Sequence, residues 1–261
     1  MVAASELTYT NANAMQMAEE IFGDGVTVVS ASYSGDNRSS AIYSNGDALA
    51  PGATPGDTGV ILSTGRANHY TNSNGQANQD TNTSTKTRGV NNNADFNAAA
   101  GTNTYDASFL DISFIPDSNV MTMQFVFSSE EYPEYVNSVY QDFVGVWVNG
   151  TQVNMEVGNG DTDPGNVNAT NNENLFLDNT GDAYNTEMDG LTVTMTLTMT
   201  VVPGIVNTIR IGIADVSDSN YDSSLLIAGD SIQTDLVAMS EDAFVQPYYS
   251  EVGFGQDGGW T

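Results

Sequence analysis

The chain has no cysteine in its 261 residues. No disulfide framework or thiolate metal site can be read from it, and a hydrophobic core must supply the stability instead. A cysteine-free chain is also compatible with export in an unfolded state. Histidine is nearly absent: His69 stands alone in a polar stretch, short of the ligand count a histidine zinc site needs. It has no cysteine partner and no GxSxG serine, so the usual nucleophile–base arrangements are missing. Phosphate-cradling glycine loops are missing too.

Basic residues are the next scarcity. Five Lys and Arg face 33 Asp and Glu, for a formal net charge of −28. Such a field repels nucleic acid and anionic lipid, and no basic stripe offers either a foothold. Neither nucleic-acid binding nor membrane insertion is expected, and no apolar run reaches membrane-spanning length. The acidity has two compatible readings, a saline habitat and a need for divalent cations. Met1–Thr10 (MVAASELTYT) lacks the basic and apolar regions of a conventional signal peptide. Export is expected after removal of a leader or through a C-terminal signal, which places the protein outside the cell or at its surface.

What is present is short alternation. Asn11 or Asn13 caps one short N-terminal helix running to Phe22, with Ala14, Met15, Ala18, Ile21 and Phe22 on one face. Strands are expected at Val26–Tyr33, Val60–Ser63 and from Ser108 through Phe109, Ile112 and Phe114 to Pro116. Met121, Met123, Phe125 and Phe127 share one face of the next strand. Phe143–Val148 leads into Asn149-Gly150, a hairpin signal, with Thr151–Val157 returning. Leu191–Val201 alternates apolar residues with threonines, as a strand with one core face and one wet face should. The threonine row suggests ice binding as well, but a solvent-facing strand needs no such role. Ile209, Ile211 and Ile213, then Leu225–Ile227 and Ile232–Val237, complete the series.

The fold class is therefore all-β: an antiparallel β-sandwich, jelly-roll-like, with one short N-terminal helix and long polar loops. Residues 1–240 are read as a single sandwich domain. Within it the Asn- and Thr-rich tract 66–104 reads as a solvated surface insertion, and 241–261 as a tail or a strand donated to a neighbour.

Two acidic loops follow apolar strands. One lies in FVFSSEEYPEYVNSVYQDFVGVWV (Phe125–Val148), the other in IGIADVSDSNYD (Ile211–Asp222). Crowded carboxylates at strand ends call for a hard cation, and calcium takes several oxygens from flexible loops. The candidate ligands are Glu130, Glu131, Asp142, Asp215, Asp218 and Asp222, with a turn at Pro133 bringing Glu130 and Glu131 together. The spacing after Asp218 lacks the glycine and closing glutamate of an EF-hand. Turn-capping by these acids is the competing explanation. Asp161 and Asp163 in GDTDPG form a second acidic pair. Glu130 with Asp222 could be drawn as a glycosidase pair, but any acidic chain offers such pairs, and no enzymatic activity is expected.

These segments resemble the bacterial choice-of-anchor L domain family. The likeness is carried by GDTGVILSTG (Gly56–Gly65), YDASFLDISFIP (Tyr105–Pro116) and FVFSSEEYPEYVNSVYQDFVGVWVNG (Phe125–Gly150). DNTGDAYNTEMDGLTVTMT (Asp178–Thr196) and IRIGIADVSDSNYDSSLLI (Ile209–Ile227) complete it. The resemblance spans roughly Asn11 to Val237 and implies an extracellular, surface-associated module without established enzymatic activity. The chain is expected to stand nearly free, without the sorting tail, repeat array or second domain of the family's usual larger anchored proteins. The expected role is a calcium-stabilised structural or adhesive subunit that forms homo-oligomers or homopolymers. The alternative is binding of surface glycans by the Asn/Thr tract with Tyr70 and Tyr105.

Overall fold

The structure, a computed structural model, describes residues 2–234. Its strands are β1 (Thr8–Thr10), β2 (Val26–Ser34), β3 (Ser40–Ser44), β4 (Thr58–Ser63), β5 (Thr104–Pro116), β6 (Val120–Ser129) and β7 (Phe143–Val148). They continue as β8 (Thr151–Gln152), β9 (Phe176–Asp178), β10 (Gly190–Thr192), β11 (Met195–Thr200), β12 (Asn207–Val216) and β13 (Ser223–Ala228). The larger sheet runs β1-β3-β4-β13-β6-β10-β9, with β11 also beside β6; the smaller runs β2-β5-β12-β7-β8. Every strand pair is antiparallel. The expected all-β sandwich is what forms.

Between the sheets lies the main core. Leu110, Ile112 and Phe114 of β5 and Ile209, Ile211 and Ile213 of β12 meet Met121, Met123, Phe125 and Phe127 of β6. The two-residue period of a strand sends alternate side chains inward, so these runs build one continuous layer. Helix α1 (Ala14–Ile21) closes one end of it through Met17, Ala18 and Ile21. Asn13 starts this helix by a reciprocal cap with Gln16, each side chain accepting from the other's backbone N–H at 3.0 Å.

The outer faces are covered as well. Outside the larger sheet, Tyr43, Ile61, Val126, Leu191 and Leu226 pack with Tyr70. Outside the smaller sheet, Phe109, Phe143, Trp147 and Ala214 pack with Phe96, whose ring lies 4.9 Å from that of Trp147. Phe109 thus faces away from Ile112 and Phe114. Coverage on both faces explains why Phe143–Val148 and Ser223–Ala228 are buried throughout rather than at alternate residues.

Tyr70 and Phe96 both come from the polar tract 66–104, and both are fully buried. Most of the tract is exposed or half-exposed, as a surface segment would be, but these two rings fix it to the sandwich. It contains the third α-helix, α3 (Ala94–Ala100), and α2 (Gly46–Leu49) lies before it, so the N-terminal helix is not alone. Asn93 caps α3 by accepting from the N–H groups of Asp95 and Phe96. Few apolar residues in a segment do not prevent two large rings from anchoring it.

The Leu191–Val201 run is also not one strand. Leu191 pairs with Ser128, whereas Met195 pairs with Phe125, so one extra residue is accommodated between β10 and β11. A bulge of one residue exchanges the faces. Leu191 packs outside the larger sheet, while Met195, Leu197 and Met199 enter the inter-sheet core. Thr196, Thr198 and Thr200 remain exposed, but Thr192 is buried and its hydroxyl accepts from the Phe127 N–H at 3.1 Å. Asn149 and Gly150, at φ 50° and 78°, form the expected tight hairpin, though the returning strand is only Thr151–Gln152. At the chain's far end, Ile232 and Gln233 make isolated bridges to Phe22 and Thr122. The rest of the strand expected at Ile232–Val237, and the tail or donated strand at Glu241–Thr261, lie outside the described residues.

Phe96→Ala tests the tract's structural weight. Loss of a fully buried ring should cost about 3–5 kcal/mol, read as a lowered urea midpoint with an unchanged slope. A solvated insertion would leave the midpoint where it was.

Candidate functional site

Strand register places the acids. Ser129, the last residue of β6, pairs with Gly190 of β10 on one side and Ser223 of β13 on the other. The next residue outward on each of these three strands is acidic: Asp189, Glu130 and Asp222. The Glu130 N–H donates to the Asp222 carbonyl at 3.2 Å, which continues the ladder by one residue. Three carboxylates therefore lie side by side across the end of the larger sheet. All three are buried, Glu130 and Asp189 completely.

Their hydrogen bonding is incomplete. Asp222 Oδ1 accepts from the Thr85 N–H at 2.7 Å, and Asp189 Oδ1 accepts from Asn78 Nδ2 at 2.6 Å. Asp222 Oδ2, Asp189 Oδ2, Asn78 Oδ1 and both oxygens of Glu130 are buried with no hydrogen-bond partner among the described residues. The Thr83 hydroxyl stands near enough to Glu130 to lower its pKa slightly, but outside hydrogen-bonding geometry. Burial dominates: it pushes Glu130 up to about 10, with the Asp189 and Asp222 charges adding to the rise. Burial likewise lifts Asp189 and Asp222 to about 6. Gly65 makes room for this row, since a Cβ there would fall 1.9 Å from Asp222 Oδ2.

The other expected ligands form a separate group toward the smaller sheet. Asp142, just before β7, accepts from the Val216 N–H at 2.9 Å and from the Ser223 hydroxyl at 2.7 Å. Asp215 lies against it, fully enclosed, and burial followed by the Asp142 charge holds its pKa far above the carboxylate range. Glu131 is raised by burial and then by Asp142 and Asp218. Asp218 sits at the half-buried rim, where its side chain accepts from the Asn220 N–H and closes a turn. Glu130 and Glu131 therefore do not converge: adjacent residues leaving a strand diverge, and each joins a different group. Among the described residues, no three Asp, Glu, His or Cys side chains stand as a ready-made metal cage.

The polar tract lies across this end as a strap. Its backbone N–H groups cap acids in succession: Asn78 to Asp182 at 2.9 Å, Gln79 to Glu187 at 2.8 Å, Thr85 to Asp222, and Arg88 to Asp36 at 2.8 Å. Asp36 shows what full partnering achieves. The Arg38 guanidinium meets it at 2.8 and 2.9 Å, with the Arg38 and Arg88 N–H groups adding to it. Its pKa is held well below the carboxylate range, first by the Arg38 side chain. Asp36 and Glu130 are both buried; hydrogen bonds from Arg38 and Arg88 lower the pKa of the first, whereas burial, with the Asp189 and Asp222 charges adding to it, raises that of the second.

Sequence reasoning missed Asp189, Asn78, Glu187 and Asp36. Asp189 carried a usable signal, since it directly precedes a strand just as Asp222 does. Asn78 carried none; only the path of the strap brings it here. Of the remaining candidates, Asp163 accepts from the Asn166 N–H at 2.7 Å beside Asp161, in a loop folded on itself. His69 lies 3.3 Å from the Thr85 hydroxyl, with its pKa lowered by burial and then by Arg66. Tyr70 is fully buried, its hydroxyl donating to the Ala53 carbonyl, so its ring offers no stacking surface to a glycan.

An all-antiparallel two-sheet sandwich with covered faces, and with acids gathered at one set of strand ends, belongs to the class of antiparallel β-sandwich modules. The chain is a member of the choice-of-anchor L domain family, whose family model matches residues 4–233. It is accordingly a surface-associated or extracellular bacterial module, from a family without enzymatic activity. No helix among the described residues is long and apolar enough to cross a membrane. No match was found among curated proteins or among solved structures.

The carboxylates set a pH dependence with a definite sign. Glu130 binds its proton more tightly folded than unfolded, so without divalent cations stability falls as pH rises from about 4.5 toward 10. Asp36 acts oppositely: its contribution is full above its ordinary value of 3.8 and is lost as pH falls below it. In chelator, urea midpoints should therefore peak near pH 5 and decline toward pH 8. A midpoint rising steadily from pH 5 to 8 would contradict the assignment.

Proposed function

We propose that the protein is a non-catalytic structural or attachment subunit of the bacterial surface, with the acid-rich end of its sandwich held together by calcium. The observation that carries this reading is the set of buried carboxylate oxygens left without donors: Glu130, Glu131, Asp189, Asp215 and Asp222. An unpaired buried charge is costly. Protonation relieves that cost only by keeping carboxylic acids neutral at ordinary pH, whereas a hard dication relieves it with the oxygens present. The donor chemistry fits calcium, which accepts carboxylate, amide and carbonyl oxygens in flexible geometry. Because no three acids among the described residues form a closed cage, amide and main-chain oxygens or water would share the coordination.

Self-association is supported by the sheet edges. β11 pairs with β6 on one side, and no strand among the described residues takes its other side. A six-residue edge with threonines outward is a template for adding a strand from another copy. The exposed Val202, Ile205 and Val206 beside it add apolar area at the same end of β11.

Two measurements test the reading. Calcium at a hundred times its dissociation constant should add about 2.7 kcal/mol, raising Tm by roughly 5–10 °C; an unmoved Tm at millimolar calcium would overturn it. In sedimentation, polymers should form with calcium and disperse with chelator. Thr196→Lys with Thr198→Lys should block them while leaving Tm unchanged. A calcium-indifferent monomer retained on a glycan array would favour sugar binding instead.

A further inference from the structure

The acidic end contains two groups of carboxylates, and they are not equivalent. In the group around Asp142, both oxygens of the central acid are bonded, to the Val216 N–H and the Ser223 hydroxyl, and the bare buried oxygens are Glu131 Oε2 and Asp215 Oδ1 beside it. The row Asp189–Glu130–Asp222 is different. Glu130 is fully buried at its centre with neither oxygen bonded, and its neighbours each turn one unbonded oxygen into the protein. Asn78 contributes a fourth. Its amide nitrogen donates to Asp189 Oδ1 and reaches toward the Asn179 carbonyl, which fixes the orientation of the group and leaves Oδ1 buried and unbonded. Unbonded acceptors from four chain segments therefore lie at this end of the sheet, where the Thr83 hydroxyl near Glu130 and the Arg66 guanidinium near Asp222 make no hydrogen bond to them.

Two of those acids are also the fastening points of the strap. Thr85 donates to Asp222, whose own N–H donates to the Thr83 carbonyl at 2.9 Å, and Asn78 holds Asp189. We propose that the row Asp189–Glu130–Asp222, completed by Asn78, is the seat of a divalent cation of the calcium class, and that the bound ion locks the strap 78–88 onto the sheet end. This rests on the cation reading above but assigns it to one seat and gives it a consequence. With the ion, the acids and the strap are drawn to a common centre. Without it, the mutual repulsion of the row acts directly on the segment that covers it.

The scarcity of basic residues makes the strap easy to watch. Lys86 and Arg88, two of the five trypsin sites in the chain, are exposed on it. Cleavage there requires local opening of the backbone. In the full-length protein, calcium at ten times its dissociation constant should slow tryptic cutting after Lys86 and Arg88 about tenfold, because opening releases the ion. Cutting is followed by mass spectrometry against a chelator control. Glu130→Gln keeps the shape and removes the central charge; it should fold, match or exceed the wild-type Tm in chelator, and lose the calcium protection. If that variant does not fold, Asp189→Asn carries the same expectation.

The outcomes separate cleanly. Protection in the wild type and none in the variant supports the seat. A Tm raised by calcium with unchanged cutting, or a variant protected like the wild type, overturns the seat while leaving a cation elsewhere at the acidic end. No calcium effect on either Tm or cutting removes both.

Discussion

Burying carboxylates in a protein almost without cations of its own is the constraint on which the rest of this structure depends. With five basic side chains available, ion pairing can satisfy only a few acids. Asp36 takes Arg38, and Arg210 bridges Asp95 and Asp111. The remaining buried acids rely on backbone N–H groups and hydroxyls. Wherever those run out, oxygens stay bare. Bare oxygens are not scattered over the molecule; most gather at one set of strand ends.

That shortage gives a physical meaning to the Asn- and Thr-rich tract. A segment with few apolar residues folds against the sandwich because it has two anchors and many donors. Tyr70 and Phe96 fix it to the outer faces of the two sheets, and between them its amides are spent on Asp182, Glu187, Asp222 and Asp36. Asparagine suits this work because its side chain both donates and accepts. Asn179 illustrates it: its amide donates to the Thr186 and Met188 carbonyls, its oxygen accepts from Tyr184, and the loop so fixed delivers Asp189 to the row.

The same geometry separates scaffold from surface. The inter-sheet core and the two outer clusters hold the sheets as packed layers, and β11 and the acid row lie on that frame. The bulge between β10 and β11 serves both ends. It puts Leu191 on the outer face near the acids and Met195, Leu197 and Met199 into the core.

By itself the sequence determined the fold class, because alternation is a local property and survives any tertiary arrangement. Phe125–Phe127, Ile209–Ile213 and the Asn149-Gly150 hairpin were legible for that reason. It also determined that the acids after β6 and before β13 would be crowded. Pairing across strands was beyond its reach. Which strand stands beside Glu130, and therefore that Asp189 and not Asp142 is its neighbour, follows from register between residues some sixty to ninety positions apart. The bulge that breaks Leu191–Val201 was hidden because inserting one residue leaves the alternation in the chain intact while reversing the faces. The strap was hidden because backbone N–H groups carry no residue identity. Tertiary structure alone decided which acids received those donors and which were left without.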